Sequence, residues 1–299
     1  MNKIQYANET SFRSFRHLEV SIDPDENTVW IYLNSYPRPC ITRTLLSELK
    51  IFQSQLVHYG GKLPLHGELV DIHYHVVSSR HPVFSFGGDL AYFLECIAAR
   101  DADALREYGR ACIDTMYPNL KGFDLGITTI SLIHGNALGG GLEAAMSSHV
   151  IIAEHRAEMG LPEVLFNLFP GMGAYNLLAQ RLNPAMAEKI ILGGRLYRAE
   201  EFHDMGVVDI LAEDGKGEDA VYSFIHTHRK QRNSYEAIRK IRQLVTPVIY
   251  QQLLDICDIW ADAALKVTEK DLRTMKRLIR SQERYAVRES GAASTATAW

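Results

Sequence analysis

The chain has 299 residues, 46% hydrophobic and 23% charged, an ordinary balance for a soluble globular protein and enough for one large core or two modest ones. With a formal net charge of −4 and no long Lys/Arg run, it lacks the electrostatic footprint of a protein that binds nucleic acid or an anionic membrane, so neither partner is expected. No apolar stretch reaches the roughly 18 residues of a spanning helix, and the opening MNKIQYANETSFRSF is too polar for a signal peptide; a cytoplasmic protein without a membrane span is expected.

Two strand-like segments come first, around His17–Ile22 and Thr28–Leu33, separated by the turn-rich DPDEN; they predict a hairpin or adjacent strands. From Ile41 to Tyr59 the residues Leu45, Leu49, Phe52 and Leu56 recur every three or four positions and Gly60-Gly61 follows as a stop, which predicts an amphipathic helix. Leu69 to Val77 reads as β, the turn HPVFSFGGDL follows, and Ala91 to Met116 reads as helix interrupted near Asp101. A strand at Gly126–His134, a glycine turn, a short helix and a strand at His149–Ala153 come next. Strands alternating with helices imply parallel pairing with crossover helices, an α/β core.

Beyond Gly173 the pattern is helical: Ala174–Leu182, Ala185–Leu192, Ala199–Met205, Tyr235–Val245, and Ile249 to about Arg284, with Pro247 between the last two. The expected organisation is an α/β core over 1–212, a helical region over 213–290 and a flexible tail over 291–299, without repeats. Cys40, Cys96, Cys112 and Cys257 show no CxxC spacing, which argues against a disulfide framework or zinc ribbon and for reduced, buried thiols.

Chemistry concentrates in residues 131–173. The apolar strand Ile127–Ile133 hands over to Gly139-Gly140-Gly141 at the start of a small-residue helix, where backbone can approach a ligand and helix N–H groups are unpaired. Two carboxylates follow, Glu143 and Glu163. A thioester enolate needs two donors about 2.7–3.1 Å from its oxygen. Two nearby carboxyls can then move the Cα proton and the proton of a 3-hydroxyl leaving group, provided burial keeps one neutral beside an anionic partner.

Three pieces, Phe84-Ser85-Phe86-Gly87-Gly88-Asp89-Leu90, Gly139 to Glu143, and Met159-Gly160-Leu161-Pro162-Glu163, together resemble the crotonase (enoyl-CoA hydratase/isomerase) superfamily. The resemblance runs from about Val29 to Leu211, ending in Tyr197-Arg198-Ala199-Glu200-Glu201 and Gly206-Val207-Val208-Asp209. It implies a ClpP/crotonase-like fold of stacked β-sheets with flanking helices, whose C-terminal helices close the pocket and mediate homo-oligomerisation as a trimer or hexamer. It also implies backbone oxyanion donors at Gly88 and Gly140 and an acid/base pair at Glu143 and Glu163, with no cofactor and no metal.

Within the superfamily, GNALGGGLEAAMSSHVIIAE, GLPEVLFNLFPGMGAY and IWADAAL…LRTMKRLIRSQER are similar to the diffusible-signal-factor synthase subfamily. That likeness implies a dual dehydratase and thioesterase that takes a 3-hydroxyacyl group from acyl carrier protein and releases a free cis-2-unsaturated fatty acid, a quorum-sensing signal. It places Gly87, Leu138, Gly139, Met172, Trp260 and Leu278 against the substrate, and associates such synthases with a sensor kinase. The rival readings are an enoyl-CoA hydratase or isomerase acting on CoA esters, and a crotonase scaffold that holds a signalling partner.

Blander readings stand beside these. Asp89 is more simply the cap of the helix starting at Leu90 than a catalyst. His73 and His75 share a face but lack a third ligand for zinc, and His226 and His228 read as surface residues. Met172 and Trp260 suit an ordinary core as readily as a substrate wall. Lys276, Arg277, Arg280 and Arg284 form a basic end-helix, a solvated face or a carrier-protein or subunit contact. The run Asn34 to Thr42 departs from the superfamily's R-P-x-x-x-N-A-L, which puts a CoA-binding role for Arg38 or Arg43 in doubt.

Overall fold

Strand residues that are apolar on both faces decide the architecture. The computed structural model describes residues 5–6 and 15–296, with side chains from 15 to 284. Its strands and helices run β1 (Gln5–Tyr6), β2 (Leu18–Asp23), β3 (Thr28–Leu33), α1 (Arg43–His58), β4 (Lys62–Leu65), β5 (Glu68–Asp71), β6 (Tyr74–Ser79), α2 (Leu90–Ala99), α3 (Ala102–Leu120), β7 (Thr128–Ile133), β8 (Ala137–Leu138), α4 (Gly140–Met146), β9 (Val150–Glu154) and β10 (Glu158–Gly160). They continue with α5 (Ala174–Arg181), α6 (Pro184–Gly193), β11 (Leu196–Arg198), α7 (Ala199–Met205), β12 (Ile210–Ala212), α8 (Gly217–Lys230), α9 (Arg232–Val245), α10 (Tyr250–Ala264) and α11 (Glu269–Ala296).

The main sheet has the order β1-β2-β3-β6-β7-β9-β12. β2 pairs antiparallel with β1 and β3, and every pairing from β3 to β12 is parallel. A small sheet β11-β10-β8 stacks near the glycine turn, and β4-β5 form a hairpin. The expected hairpin of the first two strands and the parallel core that follows are both present.

Strand residues of alternate parity serve two cores, as expected of a parallel sheet covered on both faces. Val29, Ile31, Ile133, Ile151 and Ala153 face the larger core with α1, α3, α4 and α10. Trp30, Tyr32, Tyr74, Val76, Ile130, Leu132 and Ile152 face the smaller one, closed by Val221, Tyr222, Phe224 and Ile225 of α8. The sequence reading contained no helix over 217–230, and it placed His228 on the surface. In the structure His228 is on the buried face of α8, with its Nδ1 3.0 Å from the Tyr74 hydroxyl. His226 is exposed beside Glu26.

Local signals explain the helix boundaries. Thr42, Asp89, Asp101 and Asn183 each accept from a backbone N–H three residues on, the capping bond that satisfies an orphan donor. Asp89 therefore has the capping role expected of it. The helix expected from Ile249 to about Arg284 is two, α10 and α11, because Thr268 donates through its N–H and its hydroxyl to Asp271, both at 2.8 Å, and so starts a new helix. Both helices reach one cavity, α10 through Trp260 and α11 through Leu278. Backbone of the expected tail is helical to Ala296, and residues 297–299 lie outside the described residues.

All four cysteines are unbonded and buried. His75 is buried between Phe52 and Phe123, and burial pushes it down to about 4, so it is a neutral core ring. No cluster of three metal-ligating side chains occurs among the described residues, and no described helix is long and apolar enough to cross a membrane. Because α8 alone closes the second core, Ile225→Ala should lower unfolding free energy by about 2–5 kcal/mol in urea titration; a loss under about 0.5 kcal/mol, typical of an exposed site, would contradict the packing.

Candidate active site

Two loops leave the C-terminal ends of β6 and β7 and meet. The Leu138 N–H donates to the Ser85 carbonyl at 2.9 Å and the Ser85 N–H to the Asn136 carbonyl at 3.1 Å, a short parallel ladder. The Ile41 N–H donates to the Gly87 carbonyl at 2.8 Å. Gly87, at φ +88°, fits where an added Cβ would stand 2.6 Å from the Leu138 carbonyl oxygen and 2.9 Å from the Gly140 nitrogen, so only glycine permits the approach. A Cβ on Gly140 would in turn lie 3.4 Å from the Gly88 nitrogen. The two amides are thus neighbours, and neither N–H donates to another described residue. Adjacent unpaired amides suit an oxyanion.

Behind Gly88 the loop is pinned. The Tyr108 hydroxyl donates to the Ile41 carbonyl at 2.5 Å and accepts from the Asp89 N–H at 3.2 Å. Arg38 bridges Asp89 at 3.0 Å and Glu283 of α11 at 3.3 Å, and its side chain is only 11% exposed. Arg43 lies over the Tyr92 ring. Both arginines are therefore engaged within the chain, and the tie that Arg38 makes between the oxyanion loop and α11 had no local sequence signal.

Glu143 sits on the first turn of α4 and is 1% exposed. Its Oε1 accepts from the N–H groups of Met172 and Ala174, both at 2.9 Å. Glu163 sits on the 3₁₀ turn Pro162–Phe166, with its carboxyl packed against Gly139. Its Oε2 is buried and has no partner among the described residues. Burial pushes both carboxyls above the usual carboxylate range, opposed at Glu143 by its two backbone donors and reinforced at Glu163 by the neighbouring charge of Glu143. The pair titrates as a unit, and like charges in so dry a place favour a dyad holding one proton near neutrality.

One cavity of about 70 Å³ collects these groups: Gly88, Gly139, Gly140, Glu143 and Glu163 line it, with Leu138, Met172, Trp260 and Leu278. Of the residues expected against substrate, Gly87 alone lies outside the lining. It stands behind the wall, where its lack of a side chain lets the two donor loops close. Phe86, Phe93, Phe166, Leu168 and Phe169 also line the cavity; all but Phe93 lie inside the motif segments, but no signal there marked them individually as wall residues. Phe93 meets Trp260 edge-on with centroids 5.0 Å apart. The cavity shares Phe86, Leu138, Leu278 and Gln282 with an open groove of about 660 Å³, which supplies an entry path. Arg284 lines that groove, while Lys276, Arg277 and Arg280 lie on the exposed outer face of α11.

Paired amides, two dry carboxyls and an apolar wall thus meet in one cavity. The chain belongs to the enoyl-CoA hydratase/isomerase family, which it matches over residues 72–255, and is an enzyme of the crotonase superfamily. A probable enoyl-CoA hydratase of Bacillus subtilis (strain 168) is 29% identical over 197 residues, 65% of this chain and 69% of that protein. Among solved structures, an enoyl-CoA hydratase from Bacillus halodurans superposes with a TM-score of 0.72 at 20% identity, covering 87% of this chain and all of that one. Pseudomonas aeruginosa DspI superposes with a TM-score of 0.61 at 25% identity, covering 80% and 93%. The crotonase fold expected from the glycine and glutamate motifs is the fold found.

Two outcomes follow from the geometry. Gly87→Ala should keep the circular-dichroism spectrum and lose about 10²–10³ in turnover, the usual cost of one misplaced oxyanion donor; unchanged turnover would show that the loops do not need this approach. Carboxyls raised by folding bind protons more tightly in the native state, so their stability contribution is fully present in acid and is lost as pH rises from the ordinary carboxylate range to their folded values. Glu143→Gln and Glu163→Gln should therefore melt above wild type at about pH 8, with the difference shrinking towards about pH 5 in scanning calorimetry; variants that melt below wild type at both pH values would contradict it.

Proposed function

We propose that the protein is a dual dehydratase and thioesterase that converts a 3-hydroxyacyl group carried on acyl carrier protein into a free cis-2-unsaturated fatty acid, a diffusible signal. The observation that carries this reading is the enclosure of two buried carboxyls and two unpaired amides, Gly88 and Gly140, in one apolar-walled cavity. The 25% identity to Pseudomonas aeruginosa DspI across most of both chains and the subfamily words of the sequence support it.

In this reading the thioester oxygen accepts from the Gly88 and Gly140 N–H groups, which stabilise the enolate. The ionised member of the Glu143/Glu163 dyad takes the Cα proton while the neutral member protonates the departing 3-hydroxyl, releasing water and leaving a 2-enoyl thioester. Protonation of the dyad is now exchanged. The newly ionised carboxyl takes a proton from a water that attacks the thioester carbonyl, and its partner protonates the departing thiolate. This returns the dyad to its starting state with the free acid and the carrier thiol as products. Met172, Trp260 and Leu278 hold the acyl chain, and α10 and α11, which carry Trp260 and Leu278, lie outside the β core, where chain-length preference can vary without disturbing the donors.

The enzyme works as a homo-oligomer, which the unpartnered apolar face of α9, with Ile238, Ile241, Leu244 and Val245 exposed, supports. A second reading, hydration or isomerisation of CoA esters, is favoured by the hydratase relatives. Mass spectrometry after incubation with 3-hydroxydodecanoyl-acyl carrier protein or with 3-hydroxydodecanoyl-CoA separates them: free unsaturated acid from the carrier substrate is expected, whereas conversion of the CoA ester alone, without free acid, would defeat the proposal. The profile of kcat/KM against pH should be a bell, falling in acid as the dyad gains its second proton and in alkali as it loses its last. A flat profile through neutrality would remove the dyad from the reaction.

A further inference from the structure

At the amino ends of the parallel strands, opposite the catalytic cavity, a recess of about 210 Å³ lies between α3, α5, α9 and the start of β9. It shares no lining residue with the catalytic cavity. Four cations line it, Lys121, Arg181, Arg239 and Arg242, and no carboxylate does. We propose that this recess is a binding site for a small phosphate monoester, separate from the active site.

Charge balance supports the assignment. Asp209 pairs with Arg181 at 3.2 Å, and the nearby Glu236 is held by Arg232 at 2.7 Å. The carboxyl ends of α3, α4, α5 and α9 reach the recess through Leu120, Met146, Arg181 and Gln243, each worth about half a negative charge. Together with Asp209 they offset about three of the four positive charges. The recess keeps a positive balance, which an anion of the phosphate-ester type would neutralise.

The donors are also unfilled. Arg239 is partly buried, yet among the described residues its guanidinium has only two hydrogen bonds, both at 3.5 Å, to the Ile127 carbonyl and the Thr128 hydroxyl. Lys121 reaches Gln243 at 3.4 Å. Neither of them nor Arg242 has an ion pair among the described residues. His149 also lines the recess, its Nδ1 accepting from the Thr129 N–H at 3.0 Å and its Nε2 3.1 Å from the Leu120 carbonyl. Burial first, then Arg239, Arg242 and Arg181, push it down to about 3. It is therefore a fixed neutral ring that adds no further charge.

Beside the polar Ser148, Gln180 and Gln243 the recess has an apolar stretch formed by Tyr117, Leu120, Met146, Pro247, Val248 and Ile249. That surface does nothing for a bare phosphate but covers an organic group joined to one, which is why a monoester fits better than the free ion. Guanidiniums with open forks are suited to phosphate oxygens.

Isothermal titration calorimetry of the full chain with glycerol 1-phosphate, at constant ionic strength, tests this. One saturable site per chain is expected, tighter than for inorganic phosphate. Arg239→Gln and Arg242→Gln should each weaken binding by about tenfold or more, the usual effect of removing a charge-assisted bond. Absence of saturable heat would overturn the proposal, as would equal affinity in both variants or equal binding of chloride. Should either variant lose its circular-dichroism melt, crystals of the wild type soaked with tungstate decide instead: anomalous density between Arg239 and Arg242 supports the site, and density only elsewhere refutes it.

Discussion

Two backbone amides with no acceptor of their own, at Gly88 and Gly140, are the constraint around which this protein is arranged. Holding them unpaired and adjacent needs two loops from neighbouring parallel strands to touch, which the ladder between Ser85 and Ala137 and the missing side chain of Gly87 allow. It also needs the loops not to drift, and Tyr108 and Arg38 oppose that from behind. Burying unsatisfied donors and two raised carboxyls costs stability. The sheet, apolar on both faces and covered on both, is the large favourable term that offsets it.

The same division of labour explains how fold and chemistry separate. The β core and its two loops set the positions of the donors and of Glu143 and Glu163. Phe86 and Leu138 of those loops give part of the apolar wall, and the rest comes from elsewhere, from Phe93 of α2, the 168–172 loop, and α10 and α11 on either side of the break at Thr268. At 20% identity to the Bacillus halodurans hydratase, 87% of this chain superposes on the whole of that one. Arg38 joins the two parts through Asp89 and Glu283.

Much of this was legible in the sequence because it is written in local signals. The capping residues Thr42, Asp89 and Asp101, the glycine stop after α1, and the strand pattern of β2, β3, β7 and β9 each mark an element where it stands. Glu143 and Glu163 were legible through their fixed spacing from glycine turns. What escaped depends on tertiary contact. Helix α8 has no strong cap and its apolar residues gain meaning only against the second face of the sheet, so His228 looked exposed until that face was in place. Gly87 belongs to a glycine pair in which one member donates and the other merely yields space, a distinction that only the approach of Leu138 reveals. Arg38 finds its partners 51 and 245 residues away, beyond any local pattern.

Docking of an acyl thioester carbonyl between these two amides is open to direct measurement. Isotope-edited infrared difference spectroscopy of a 13C-labelled 3-hydroxyacyl thioester bound to Glu143→Gln, which holds the substrate without turning it over, reads that contact directly. Two hydrogen bonds to the oxygen should move the carbonyl stretch to lower frequency than in water. A bound thioester whose carbonyl stretch lies at or above its aqueous position would contradict the account.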